Sequence, residues 1–174
     1  MSTALSAALW LLPDDRGLQL AIDALCARHA AERFEAHLTL LGGVTLSDPD
    51  RAERELAALA AAAQPLELQV LGTGQSPALL QTAFLRCAES QALSGLRERA
   101  HAALGSGCAP AIGPHLSLIY ATLPARTRGE IARAYESTFV PALRFSALAL
   151  VQSSARGWEA IADWRVRCRH RLGA

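Results

Sequence analysis

The sequence predicts an α+β fold of two similar, pseudo-symmetric lobes, each an antiparallel sheet with outer helices, facing one another across a central cleft. Three observations predict it. Apolar residues recur at period two in some segments, such as Leu66 to Leu71, and at helical spacing in others, such as Leu18, Ile22 and Leu25. A strand, a helix and a second strand follow one another in that order twice along the chain. Each second strand carries a histidine and, two residues on, a hydroxyl: His37 with Thr39, His115 with Ser117. With 174 residues, 51% of them hydrophobic, the chain suits a single bilobal domain over residues 1–174.

Ala4 to Leu12 reads as a buried strand ending at Pro13, and Asp14-Asp15 opens a helix that closes near Ala31. Phe34 to Leu41 is a second strand, stopped by Gly42-Gly43. Ser47-Asp48-Pro49 caps a helix over Asp50 to Ala63, and Pro65 ends it. Leu66 to Leu71 is a half-buried strand, Gly72 to Pro77 a turn, and Leu79 to Cys87 the returning strand of a hairpin. The pattern then repeats: Glu89 to Leu104 is amphipathic helix, Gly105 to Pro110 loop, His115 to Ala121 strand, and Pro124 opens a helix to about Thr138. Leu143 to Ser153 and Trp158 to Arg169 read as two strands around Ala155-Arg156-Gly157.

Composition narrows the function classes. Lys+Arg is 17 and Asp+Glu 16, a formal charge of +1, so no global field holds a long polyanion and a dedicated duplex-binding protein is not expected. All the basic residues are arginines. Without a lysine, Schiff-base catalysis, a Walker-A phosphate loop and lysine-adenylate ligation are excluded. The longest apolar runs, such as Leu56 to Ala63, fall far short of the roughly 20 residues of a membrane span, so a soluble chain is expected. The first arginine is Arg16, so no basic region precedes the apolar N-terminal stretch and a cytoplasmic protein without a signal peptide is expected. Cys26, Cys87, Cys108 and Cys168 form no CxxC pair and are expected as buried thiols.

Side chains on a strand alternate faces. His37 and Thr39 therefore point one way and Leu38 and Leu40 the other, and His115 and Ser117 oppose Leu116 and Leu118 in the same manner. If the lobes are related by a twofold axis, one cleft receives two imidazoles and two hydroxyls. Two imidazoles suffice for phosphodiester hydrolysis without metal: a neutral ring takes a proton from water and a protonated ring gives one to the leaving oxygen. The hydroxyls bond the non-bridging phosphoryl oxygens, where charge gathers in the transition state. A single His-x-Thr is more often structural than catalytic, and it is the repetition at equivalent places that favours catalysis. His29, His101 and His170 lack this setting. No metal site is expected, because no carboxylate or thiolate stands at ligand spacing from either histidine; Glu35 lies at i−2 from His37 without a counterpart near His115. A bell-shaped pH profile in or near the histidine range follows.

These residues resemble the 2H phosphoesterases, and within them the cyclic phosphodiesterases of plants and fungi. Ala8-Leu9-Trp10-Leu11-Leu12-Pro13-Asp14 is similar to that family's opening strand, Phe34 to Leu41 to its first motif and Gly113 to Ala121 to its second. Gln81 to Phe84 and Gly157-Trp158-Glu159 also resemble stretches of that branch. Ala36 departs from it, standing where proline is frequent. The resemblance implies cofactor-free hydrolysis of a nucleoside 2′,3′-cyclic phosphate, or of ADP-ribose 1″,2″-cyclic phosphate, to a monoester; separately, a monomer is expected. It also implies His115 as base, His37 as acid and the Tyr120 hydroxyl near the phosphate, although strand alternation would turn Tyr120 away from His115. Trp10, Phe84 and Gln81 are candidate substrate contacts, the aromatics reading equally as core.

Arg165, Arg167, Arg169 and Arg171 alternate along the last strand, a charged edge more than a phosphate stripe. Two rival readings remain: an RNA 2′,3′-cyclic phosphodiesterase of the 2′-5′ RNA ligase kind, acting on a short RNA end, and a non-catalytic nucleotide-binding module.

Overall fold

The computed structural model describes residues 5–137 and 141–174. Along them run β1 (Leu5–Pro13), α1 (Arg16–Arg28), β2 (Leu38–Leu46), α2 (Pro49–Ala61), β3 (Leu66–Gln75), β4 (Ala83–Cys87), α3 (Gln91–Leu104), β5 (His115–Ile119), α4 (Ala125–Ser137), β6 (Ala142–Gln152) and β7 (Arg165–Arg171). Three helices begin at side-chain caps. Asp15, Asp48 and Ser90 accept from the backbone N–H of Leu18, Arg51 and Leu93, satisfying donors that the first turn leaves free. Pro49 follows its cap as the first residue of α2, where its missing N–H costs nothing.

The strands form one antiparallel sheet in the order β1-β2-β5-β4-β3-β6-β7, and a further β1–β6 pairing closes six of them into a ring. That ring has an internal twofold relation exchanging β1 with β4, β2 with β5 and β3 with β6. It passes through two seams where the halves meet. At one, Leu38 pairs with Leu116; at the other, Leu66 to Gln69 pair with Phe145 to Ala142. The lobes also interlock through helices, because α1 packs on β5 and α3 on β2. Only β7, added to β6, has no counterpart among the described strands.

Helices cover one face of the sheet. Leu38, Leu40, Leu116 and Leu118 are buried there with Leu18, Ile22 and Leu25 of α1, each leucine contributing about 1.5–3 kcal/mol by leaving water. The other face carries a smaller apolar cluster of Ala8, Trp10, Leu12, Ala149 and Val151, against which Trp158 and Trp164 pack.

Several boundaries differ from the sequence expectation. Gly42-Gly43 does not stop β2: Gly43 adopts φ +66°, and the register against β1 slips between Ala7/Val44 and Leu9/Leu41. The glycines thus absorb an extra residue as a bulge, and the strand continues. Residues 34–37 precede the strand without regular secondary structure. A second bulge carries β3 past Leu71, which is 60% exposed, to Gln75. Residues 79–81 form a short 3-10 turn and not a strand. Residues 154–164 hold turns and a short 3-10 segment, Ile161–Asp163, so β7 starts at Arg165 and not at Trp158. Helix α1 closes at Arg28, ahead of Ala31. Ala4 and Thr138 lie outside the described residues. Cys26 and Cys87 are buried, Cys168 is half-buried, and Cys108, contrary to expectation, is exposed. No helix among the described residues is long and apolar enough to cross a membrane.

Candidate active site

An antiparallel pair has a local twofold axis between two directly opposed residues. Because Leu38 opposes Leu116, that axis carries His37 onto His115 and Thr39 onto Ser117. Both leucines turn to the helices, so the four flanking residues turn to the opposite face. The likeness extends to the rings. His37 Nδ1 lies 2.6 Å from the carbonyl of Glu35 and His115 Nδ1 lies 2.9 Å from that of Gly113, two residues upstream in each case. A carbonyl only accepts, so each Nδ1 carries the proton and each neutral ring has its lone pair on Nε2.

Here the likeness ends. His37 is 4% exposed and has its ring stacked on Trp10, centroids 3.6 Å apart and planes 8° from parallel. Trp164 stands edge-on to it at 6.0 Å. The Tyr120 hydroxyl lies 3.3 Å from His37 Nε2 and donates to it. Strand β5 ends at Ile119, which frees Tyr120 from the alternation that would have turned it away. Burial pushes His37 down to about 3, against the pull of the Glu35 carbonyl and with help from nearby His115. His115 is half-buried, touches the edge of Phe84 at 5.3 Å, and is also lowered, chiefly by burial. Its Nε2 has no hydrogen-bond partner among the described residues. Both rings are therefore neutral at pH 7 before an anion binds.

Thr39 is half-exposed and opposes Trp10 across β1. Ser117 is 2% exposed and donates to the Leu80 carbonyl at 3.4 Å; burial pushes the Tyr120 phenol up, against the pull of nearby Ser117. Tyr120, just past the end of β5, so joins the strand of the second motif to His37 of the first. Phe84 opposes Ser117 on β4. Gln81 lies in the 3-10 turn next to Leu80, and its side chain bonds none of the other site candidates. His29 ends α1, His101 lies in α3, and His170 pairs with the core-facing Leu148.

A family model described as the 2′-5′ RNA ligase superfamily matches residues 15–157. The chain belongs to that superfamily. Members of the 2′-5′ RNA ligase superfamily are 2H phosphoesterases, in line with the paired motifs. Among solved structures, Escherichia coli LigT in its apo form is 19% identical, with a TM-score of 0.60 over 99% of this chain and 100% of that one. The protein TT0787 of Thermus thermophilus is 17% identical, with a TM-score of 0.62 over 98% and 99%. LigT complexed with phosphate gives 17% identity and a TM-score of 0.58 over 99% and 100%. At these identities the likeness is one of fold. A search of curated proteins finds no match.

In this superfamily member two contributors near His37 escaped the sequence reading. Trp164 reads as an apolar strand residue, yet it follows the 3-10 segment just before β7 and packs against Trp10, His37 and Tyr120. Arg169 reads as part of a charged edge. Its guanidinium grips the Glu35 carboxylate through two 2.7 Å bonds, fixing the residue whose carbonyl orients His37. Arg167 pairs with Glu53 and Arg165 bonds the Ala162 and Trp164 carbonyls. Among the described residues, no three of His, Cys, Asp and Glu converge as a metal ligand set.

Proposed function

We propose that the protein is a phosphodiesterase that opens a small cyclic phosphate by metal-independent catalysis with two histidines. The substrate is a nucleoside 2′,3′-cyclic phosphate or ADP-ribose 1″,2″-cyclic phosphate, and the product a monoester. Water adds to phosphorus as the bond to one ring oxygen breaks. His115 Nε2 takes the proton of the attacking water, and His37 Nε2 delivers one to the departing oxygen. Thr39 and Ser117 hydroxyls donate to the non-bridging oxygens. The substrate's negative charge between the rings offsets the burial that keeps them neutral and restores the imidazolium that the acid needs. The single observation that supports this reading is the axis at Leu38 and Leu116, which turns both His-x-hydroxyl motifs to one face. His115, whose Nε2 is free on the more open side, suits the partner of water. His37, enclosed by Trp10 and Tyr120, suits the partner of the leaving group.

The test is a side-by-side assay of 2′,3′-cyclic nucleotides, ADP-ribose cyclic phosphate and a cyclic-ended oligonucleotide. Turnover of a small cyclic phosphate is expected. Turnover of the oligonucleotide alone would replace this reading with an RNA-end phosphodiesterase, and turnover of none would leave a nucleotide-binding module.

A further inference from the structure

The face that carries the histidines continues past His115 onto β4 and β3. Register places Arg86 directly opposite His115 and Phe84 opposite Ser117, so both point to the same side as the imidazole. Beyond them, Gly72 opposes Arg86 and Gly74 opposes Phe84, contributing no side chains. A Cβ on Gly74 would sit 2.4 Å from the Phe84 ring, and one on Gly72 would sit 3.4 Å from Arg86 Nη2. The phenyl ring and the guanidinium therefore lie over bare backbone, and only glycine at 74 admits the ring.

Arg86 is exposed. Among the described residues it has no carboxylate or carbonyl partner, whereas Arg165, Arg167 and Arg169 of β7 are all engaged. Its guanidinium leans over β3, two strand spacings or about 10 Å from β5. That distance takes it off a phosphate held between the two histidines, yet keeps it on the same face. An unpaired guanidinium in this position is a planar, permanently charged fork suited to phosphate oxygens.

We propose that Arg86 binds a second phosphate of the substrate, separate from the one that reacts. This rests on the cyclic phosphodiesterase reading and narrows it: the preferred substrate carries a further phosphate, whether the pyrophosphate of an ADP-ribose or the 5′-phosphate of a nucleotide end.

The experiment measures kcat/KM for a nucleoside 2′,3′-cyclic phosphate with and without a 5′-phosphate, for wild type, Arg86→Ala and Arg86→Lys. An exposed ion pair predicts about a fivefold advantage for the 5′-phosphorylated compound in wild type. Arg86→Ala should bring the two compounds to within about twofold of each other, and Arg86→Lys should keep part of the advantage. ADP-ribose cyclic phosphate and a cyclic-ended dinucleotide, run in parallel, show which source of the second phosphate loses more in Arg86→Ala. No advantage in wild type, or an advantage undiminished in Arg86→Ala, would overturn the proposal. Calorimetry with a nucleoside 2′-phosphate and a nucleoside 2′,5′-bisphosphate separates it from the function reading. If wild type turns over no cyclic phosphate, a bisphosphate preference that Arg86→Ala removes still upholds the anion site, and its absence ends it.

Discussion

His37 and His115 are exchanged by the sheet's own axis and tethered alike through Nδ1, yet their surroundings share almost nothing. Trp10, Tyr120 and Trp164 close around His37, on a lobe whose inner face is lined with Ala8, Ala149 and Val151. Around His115 stand one phenyl ring and, directly opposite, an exposed arginine, both lying over glycines of β3. Backbone symmetry delivers two equivalent nitrogens to one place, and side-chain asymmetry then makes them unequal. A reaction that needs one proton acceptor and one donor requires that inequality.

Removing the rings tests the division most severely. His37→Ala and His115→Ala should each cost on the order of 10²–10⁴-fold in rate, the usual worth of a positioned acid or base. A substrate with an activated leaving group tells them apart, restoring the variant that lacks the acid, assigned to His37, and leaving the other slow. Rescue of His115→Ala instead would reverse the roles. Losses below tenfold for both would dismiss the pair.

The hydroxyls come next. Thr39→Ala and Ser117→Ala should lower kcat about 10–10³-fold, since other donors still hold the phosphoryl group.

Acidity gives a third measure. The profile of kcat/KM reports the free protein: it rises with pH as the base loses its proton and falls as the acid loses its own. Burial lowers both histidines, so the maximum should lie below pH 6.5, displaced from the ordinary histidine range. In the complex the bound anion favours imidazolium, so the kcat profile should lie at higher pH. A kcat/KM maximum at or above 6.5 would show that the enclosure of His37 is not what sets its proton affinity. The smallest effect is expected from exhaustive chelation. Activity should persist, and loss with rescue by zinc or manganese would replace the two-histidine scheme.

Sequence spoke most clearly where structure is local. Leu38, Leu40, Leu116 and Leu118 alternate with the site residues at period two, and that alternation alone assigns faces. The repeated order of elements foretold the twofold relation. Glycine misled, because Gly42-Gly43 is the same pair whether a strand stops or bulges, and the choice lies with its partner β1. The opposition of Leu38 and Leu116 is a non-local pairing that no window of sequence contains. Trp164 and Arg169 belong to the unrepeated end of the chain, so repetition gave no signal for them. Arg86 carries no motif at all; only register shows what stands across from it.

The seam at Leu38 and Leu116 also has a mechanical meaning. A rotation of one half against the other about the line through those residues displaces each group in proportion to its lever arm. His37 and His115 adjoin the pivot, so their separation is nearly invariant under such a rotation, whereas the Arg86 guanidinium, lying over β3, swings farther. The fold thereby places the two imidazoles at the fulcrum and the Arg86 guanidinium toward the rim, so flexing between the halves alters the spacing from histidine to arginine far more than the spacing between the histidines.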